Sequence, residues 1–386
     1  MRALAAILLL LPYGAFAQDW SDRGEYDLAL AVRAQSSAAT RLPLLDQWKQ
    51  KYPNSPLKQM RTELILAAAQ SLGDKNRMLE AARELVSADQ NHFSGNYWLT
   101  LLSPTPAEAE TSAKRLLRLA ETGAGKQKNE VLVAAHRTLG WVEWQRGATD
   151  AAEKQFVSCL TLAPRNGEVS GWYGSLLAVQ NTPPQQVAGI WHLARASYLD
   201  GEGALAANQR RDVRELLESA YKTYHGSLDG LEAIGAAATA ATVAVKPPDS
   251  FKIETAAEVA QRKADEEMKA NNPQLFAWVL IKRRLTGADG QAEYEKLAQG
   301  AMPLLKGYVI RCDKDPKPAE AMLGLQDSSV EEVVLKFDAP MPRCADVGVA
   351  VEFEGKPVEF TRDPFRLKVS VTGSSLQGWP TPDKKD

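Results

Sequence analysis

Residues 136–164 read HRTLGWVEWQRGATDAAEKQFVSCLTLAP, and two helical stripes run through them. Leu132, Ala135, Leu139 and Val142 recur at steps of three and four, so they share one apolar face. Ala152, Phe156, Cys159 and Ala163 do the same beyond a turn at Arg146-Gly147. Two such helices joined by a short turn must bury their stripes against each other. Gly140 and Ala152 are small where the pair approaches closely, and Phe156 fills the space beside that contact. Thr149 is placed to cap the second helix, with Glu153 in its first turn to favour the positive dipole end. Pro164 cannot continue the helix and ends the unit.

These spacings resemble one tetratricopeptide (TPR) unit, whose pattern is W-x2-L-G-x2-Y, then A-x3-F, then Pro. Leu139, Gly140, Ala152, Phe156 and Pro164 stand at the expected positions. His136 replaces the Trp, and Glu143 replaces the Tyr, with Trp144 one position later. The resemblance implies an interaction scaffold, a series of stacked hairpins offering a groove to a protein or peptide, and no reaction centre. Trp141 and Trp144 project near one side of the first helix, where packing and partner anchoring are both open readings. Arg137, Trp144, Arg146 and Lys154 are the candidate partner-binding residues. No regular basic ladder accompanies them, so a clamp for acidic C-termini is not indicated.

Helical periodicity continues on both sides, from about Tyr26 to Leu297. Residues 57–72 and 75–88 pair around Gly73-Asp74, and residues 168–180 and 184–199 pair around Asn181-Thr182-Pro183. Hairpins repeating at roughly 30–45 residues fit an α-solenoid, in which only residues 136–164 keep the motif clearly. Asp229 and Glu232 have capping-box spacing ahead of the segment 231–245. Lys246-Pro247-Pro248-Asp249-Ser250 is a rigid break. We therefore expect a TPR-like helical solenoid over residues 18–245 and a linker with helical connector over 246–302. Phe276, Trp278 and Val279 are the connector's core candidates.

From Pro303 the period changes to two. Residues 332–337 and 349–353 alternate, and short β-branched or aromatic runs are separated by Asp, Pro and Gly clusters. Five or six strands predict a small all-β barrel or sandwich over 303–372, followed by a flexible tail over 373–386. So short a β-domain is marginal alone. Of the three cysteines, Cys159 sits on the buried stripe of a helix, which leaves Cys312 and Cys344 as the expected disulfide. Closing that loop contributes about 3–4 kcal/mol. The alternative is two independent small core residues.

Met1-Arg2, the apolar run Ala3 to Leu11 and the small residues Ala15 and Ala17 form a signal peptide over 1–17, with cleavage before Gln18. The apolar run is far short of the ~20 residues a membrane span needs, so no transmembrane segment is expected after cleavage, and the location is periplasmic or secreted. Net charge is −2 with both signs interspersed, which gives no footprint for nucleic acid. The segments 45–53, 221–227, 278–290 and 363–365 are similar to those of an uncharacterised family of exported bacterial TPR-like proteins with a C-terminal β-domain. That resemblance implies architecture and location and supplies no activity.

Catalytic and metal motifs are not found. His92, His136, His192 and His225 show no H-E-x-x-H or paired spacing. Tyr224-His225-Gly226-Ser227 is explained by a helix end more simply than by a Ser nucleophile. Gly123-Ala124-Gly125-Lys126 lacks the first Gly and the hydroxyl of a phosphate loop and reads as a turn. No cofactor is implied and the chain is read as a non-enzymatic scaffold. The competing reading is envelope or carbohydrate binding by the β-domain with the helices as spacer, for which Tyr308, Phe353, Phe360 and Phe365 are the aromatics to inspect.

Overall fold

The computed structural model describes residues 20–123, 128–241 and 245–380. The expected signal peptide, the turn at Ala124-Gly125-Lys126 and the terminal residues 381–386 lie outside the described residues. The chain divides into two compact units between Ile253 and Glu254.

The first unit is helical: α1 (Arg23–Ala34), α2 (Ala38–Lys51), α3 (Lys58–Leu72), α4 (Lys75–Ala88), α5 (Phe93–Leu102), α6 (Pro106–Gly123), α7 (Lys128–Gln145), α8 (Thr149–Leu162), α9 (Gly167–Ala178), α10 (Pro183–Tyr198), α11 (Ala207–His225) and α12 (Leu231–Ala240). The helices form a repeat-like series in which α1 to α11 each pack on their chain neighbours, α12 packs back on α10, and α7 touches both α5 and α9. The buried residues accordingly fall into successive clusters. One joins α1 to α4 around Trp48, one joins α5 to α7 around Leu116, one joins α8 and α9 around Phe156, and one joins α10 to α12 around Trp191.

Helix starts follow local chemistry, with two corrections. Asp22, Ser37, Asp74 and Asn166 each accept a first-turn N–H. Thr149 does not cap α8: it is the first helical residue, and Ala148 holds the cap position without a side-chain bond. Asp229 does not cap α12 either, because Gly230, at φ 81°, occupies that position. Its carbonyl instead accepts from the Tyr221 hydroxyl at 2.7 Å.

The second unit contains α13 (Ala256–Asn271), α14 (Pro273–Thr286), α15 (Gly290–Leu297) and seven strands: β1 (Leu305–Cys312), β2 (Glu320–Gly324), β3 (Val333–Phe337), β4 (Ala350–Phe353), β5 (Lys356–Arg362), β6 (Phe365–Val371) and β7 (Leu376–Gln377). They form one sheet in the order β5-β6-β3-β2-β1-β4-β7. The pair β3–β6 is parallel and the others are antiparallel. Strand alternation sends Leu305, Val309, Leu323, Leu335, Phe353 and Val369 into one core, while Lys306, Tyr308, Lys336 and Arg366 remain exposed.

Residues 246–302 differ from the expected connector. Phe251 and Ile253 pack with α10 to α12, so the first unit extends past the proline break. Trp278 and Leu285 of α14 are buried in the same core as the strands, which makes α14 part of the second unit. Phe276 and Val279 are only half-buried. The tail also begins later than expected: β7 pairs with β4, and Trp379 packs edge-on against Phe337 with centroids 5.1 Å apart. Burial of that indole and the β7 hydrogen bonds order residues 373–379. Cys312 and Cys344 are joined, with Cα atoms 6.0 Å apart, and Cys159 is buried and free.

Candidate functional site

The hairpin α7–α8 sets the geometry. A Cβ on Gly140 would lie 2.6 Å from the Phe156 ring, so glycine permits the close approach that brings Phe156 to full burial. The next hairpin repeats the device 34 positions later (174 − 140 = 34): a Cβ on Gly174 would lie 2.7 Å from the Leu193 backbone nitrogen of α10. His136 lies beside the Gly140–Phe156 contact, its Nδ1 2.8 Å from Gln155 Oε1 across the α7–α8 hairpin.

On the other side of α7, Thr100 and Leu101 of α5, Arg137, Thr138 and Trp141 of α7, and Trp172 of α9 line a groove of about 230 Å³. Residues 137 and 141 are one helical turn apart and share a face. Thr138 donates from its hydroxyl to the Thr100 carbonyl at 2.9 Å, satisfying a last-turn group that has no partner within α5. Thr100 in turn donates to the Asn96 carbonyl at 2.7 Å. Arg137 donates from Nε to Glu168 Oε2 at 2.6 Å, and its guanidinium lies 5.3 Å from the Trp172 ring centroid. Glu168 sits in the first turn of α9, where the helix dipole favours a carboxylate.

The four candidate residues do not converge. Arg137 lines the groove. Trp144 is half-buried and packs with the cluster around Phe156, so its ring serves the hairpin. Arg146 is exposed at the end of α7 and pairs with Glu110 of α6. That contact, followed by Lys114, holds the Glu110 carboxyl down at about 2. Lys154 is exposed on α8, the opposite partner of the hairpin from the helix that lines the groove. Trp141, for which the sequence leaves packing and partner anchoring open, lines the groove, and so does Trp172.

Histidine chemistry is accounted for locally. His92 caps α5, its Nδ1 accepting from the Gly95 N–H at 3.2 Å while Nε2 lies 2.8 Å from Glu63 Oε1. His192 is fully buried between Tyr173 and Trp191, and burial depresses its pKa to about 3. Burial likewise pushes the Cys159 thiol up to about 12, which leaves it unreactive at neutral pH. Among the described residues there is no group of three His, Cys, Asp or Glu side chains that could hold a metal ion, and no helix long and apolar enough to cross a membrane.

Comparison with protein-family models, curated proteins and solved structures finds no match to this chain.

The β-domain aromatics are dispersed. Phe353 is fully buried. Phe360 stacks on Tyr294 of α15 with centroids 4.9 Å apart, and Phe365 packs 5.8 Å from Trp278. Tyr308 is 38% exposed and lies on the opposite face of the sheet from Phe353. The four do not make one aromatic platform.

Proposed function

We propose that this chain is an exported, non-enzymatic scaffold in which a TPR-like α-solenoid binds a protein or peptide partner in its concave groove, ahead of a β-domain. The observation that carries this reading is the groove lined mainly by α5, α7 and α9, with Ser103 just after α5, Ala109 of α6, and Arg137, Trp141 and Trp172 at its wall. Stacked helix hairpins bury a continuous core and leave the alternate helices to present such a surface. Aromatic and Arg side chains are the residue types that dominate binding energies at protein interfaces. The Cys312–Cys344 bridge is consistent with an oxidising compartment, which fits the signal-peptide character of residues 1–17.

The test is affinity capture from envelope extract with the mature chain, comparing wild type with an Arg137→Glu, Trp141→Ala double variant. A partner captured by wild type and lost from the variant supports the groove. Identical partner sets for the two proteins, with the variant's helical spectrum unchanged, overturn it.

A further inference from the structure

Helix α13 is supported mostly from within. Of its sixteen residues Val259 is buried, Asp265 and Met268 are half-buried, and the rest are exposed. The helix it packs on is α14, and the seam between the two is not filled. Polar residues of α13 from Glu258 to Lys269, with Phe276 of α14, line an open groove of about 440 Å³ there, whereas a close-packed interface leaves few voids larger than a water molecule. Among the described residues, the polar link between the two helices is one forked ion pair. Arg283 donates from Nη1 and Nη2 to the Asp265 carboxylate at 2.8 and 3.0 Å. Both side chains reach solvent, so the pair is screened and its contribution is small.

Local bonds hold α13 in shape instead. The Glu258 N–H donates to the Thr255 hydroxyl at 3.2 Å, and the Thr255 N–H donates to Glu258 Oε2 at 2.7 Å, a reciprocal cap at the first turn. Gln261 donates to Asp265 at 2.7 Å and Arg262 pairs with Glu266 at 3.2 Å, each across one turn. Five of the sixteen residues are alanine, the best helix former. The chain leaves helical geometry at both ends, at Thr255 (φ −71°, ψ 162°) and at Asn272 (φ −148°, ψ 78°). Helix α14 is fixed differently. Trp278 and Leu285 are buried in the core of the sheet, and Lys282 reaches Glu332, so none of these contacts depends on α13.

We propose that α13 is a releasable strap, which lifts off α14 about Asn272 while the core of the sheet stays folded. A hinge of this kind needs only a residue at the end of an element to absorb the change in backbone angles. Released, α13 is a spacer of about 24 Å when helical, running from Ile253, where the first unit ends, to Pro273. The strap thus gives the connection between the two units a docked and an undocked form, whatever the first unit binds.

The experiment is hydrogen–deuterium exchange on the mature full chain, read segment by segment. Amides of residues 260–271 should exchange at least about a hundredfold faster than those of residues 277–286 and of β3 and β6, as a sub-global opening requires. Arg283→Ala should speed exchange in α13 by a further factor of about two to five, the worth of an exposed ion pair, and leave the strands as they were. The double variant Asp265→Arg, Arg283→Asp rebuilds the pair with its charges exchanged and should return α13 toward wild-type exchange. Ala264→Pro breaks the helix at an exposed position and should abolish protection in α13 while β3 and β6 keep theirs. Equal protection of α13 and α14 in the wild type, unchanged exchange of α13 in Arg283→Ala, or loss of strand protection in Ala264→Pro would each overturn the proposal.

Discussion

The Phe156 ring occupies the space directly beside Gly140, at 2.6 Å from where a Cβ would project. Gly140 lies on α7 and Phe156 on α8, so the width of this hairpin is fixed by the missing side chain. Both residues are buried, and neither helix can shift without disturbing the clusters on either side.

Gly140→Ala is therefore expected to destabilise the first unit despite the better helix propensity of alanine, which favours the variant by up to ~1 kcal/mol. Overpacking of a tight core costs about 1–3 kcal/mol, so the net effect is destabilising. Thermal or urea unfolding measures it. Phe156→Leu alone should also destabilise, but adding it to Gly140→Ala should recover part of the loss. Simple addition of the two penalties would show that the contact does not set the hairpin width.

This contact was legible in the sequence because small and large residues at fixed helical offsets describe local packing. The second hairpin was harder to read. Tyr173-Gly174 follows Leu139-Gly140 by 34 positions, but an aromatic replaces the leucine and the alanine and proline of the pattern are absent there. The groove was not legible at all. Its wall is built mainly from α5, α7 and α9, with Ser103 just after α5 and Ala109 of α6, and no sequence window spans them. The caps at Ala148 and Gly230 stand one residue from Thr149 and Asp229, the caps the sequence suggests, because left-handed glycines at 147 and 230 move the turn. In the second unit, alternation revealed the central strands. β7 has only two residues and no alternation to show, and the role of α14 in that core depends on Trp278 and Leu285 meeting strands that are distant in sequence.

Lys282 of α14 reaches Glu332, just ahead of β3, with Nζ 2.6 Å from Oε1. The Glu332 side chain is almost fully buried, and its second oxygen accepts from the Leu325 and Gln326 N–H groups at 2.9 and 2.6 Å. Burial pushes its pKa up, but Lys282 and the two N–H donors outweigh burial, and the carboxyl titrates below its ordinary range. A depressed folded pKa means that the ionised form contributes stability above the unfolded value of ~4.3. That contribution is lost as pH falls through the folded pKa. Glu332→Ala leaves the half-exposed Lys282 ammonium, the buried Leu325 N–H and the Gln326 N–H without this partner and should cost about 1–3 kcal/mol. Glu332→Gln should cost less and remove this acid-side loss. An unchanged acid-side profile in Glu332→Gln, measured by unfolding from pH 5 to pH 2, would count against the assignment.

His192 gives the first unit an acid sensitivity that begins at higher pH. Its ring centroid lies 4.5 Å from that of Tyr173 and 4.8 Å from that of Trp191, and the whole side chain is inaccessible to solvent. Burial opposes the imidazolium and outweighs the Val245 backbone, which favours it, with Arg195 adding a smaller repulsion, so the folded pKa falls to about 3. In the unfolded chain a histidine takes up its proton near pH ~6.5. Between those values the unfolded state binds the extra proton, so the stability of the folded state declines as pH falls from about 6.5 toward 3. Above pH ~7 neither state is protonated and the residue has no influence on the pH profile. His192→Phe keeps an aromatic ring between Tyr173 and Trp191 while removing the titration. It should flatten stability against pH between 6.5 and 4, with any packing cost of the larger ring shared equally at all pH values. A slope in that window identical to wild type would mean that His192 is not the group responsible.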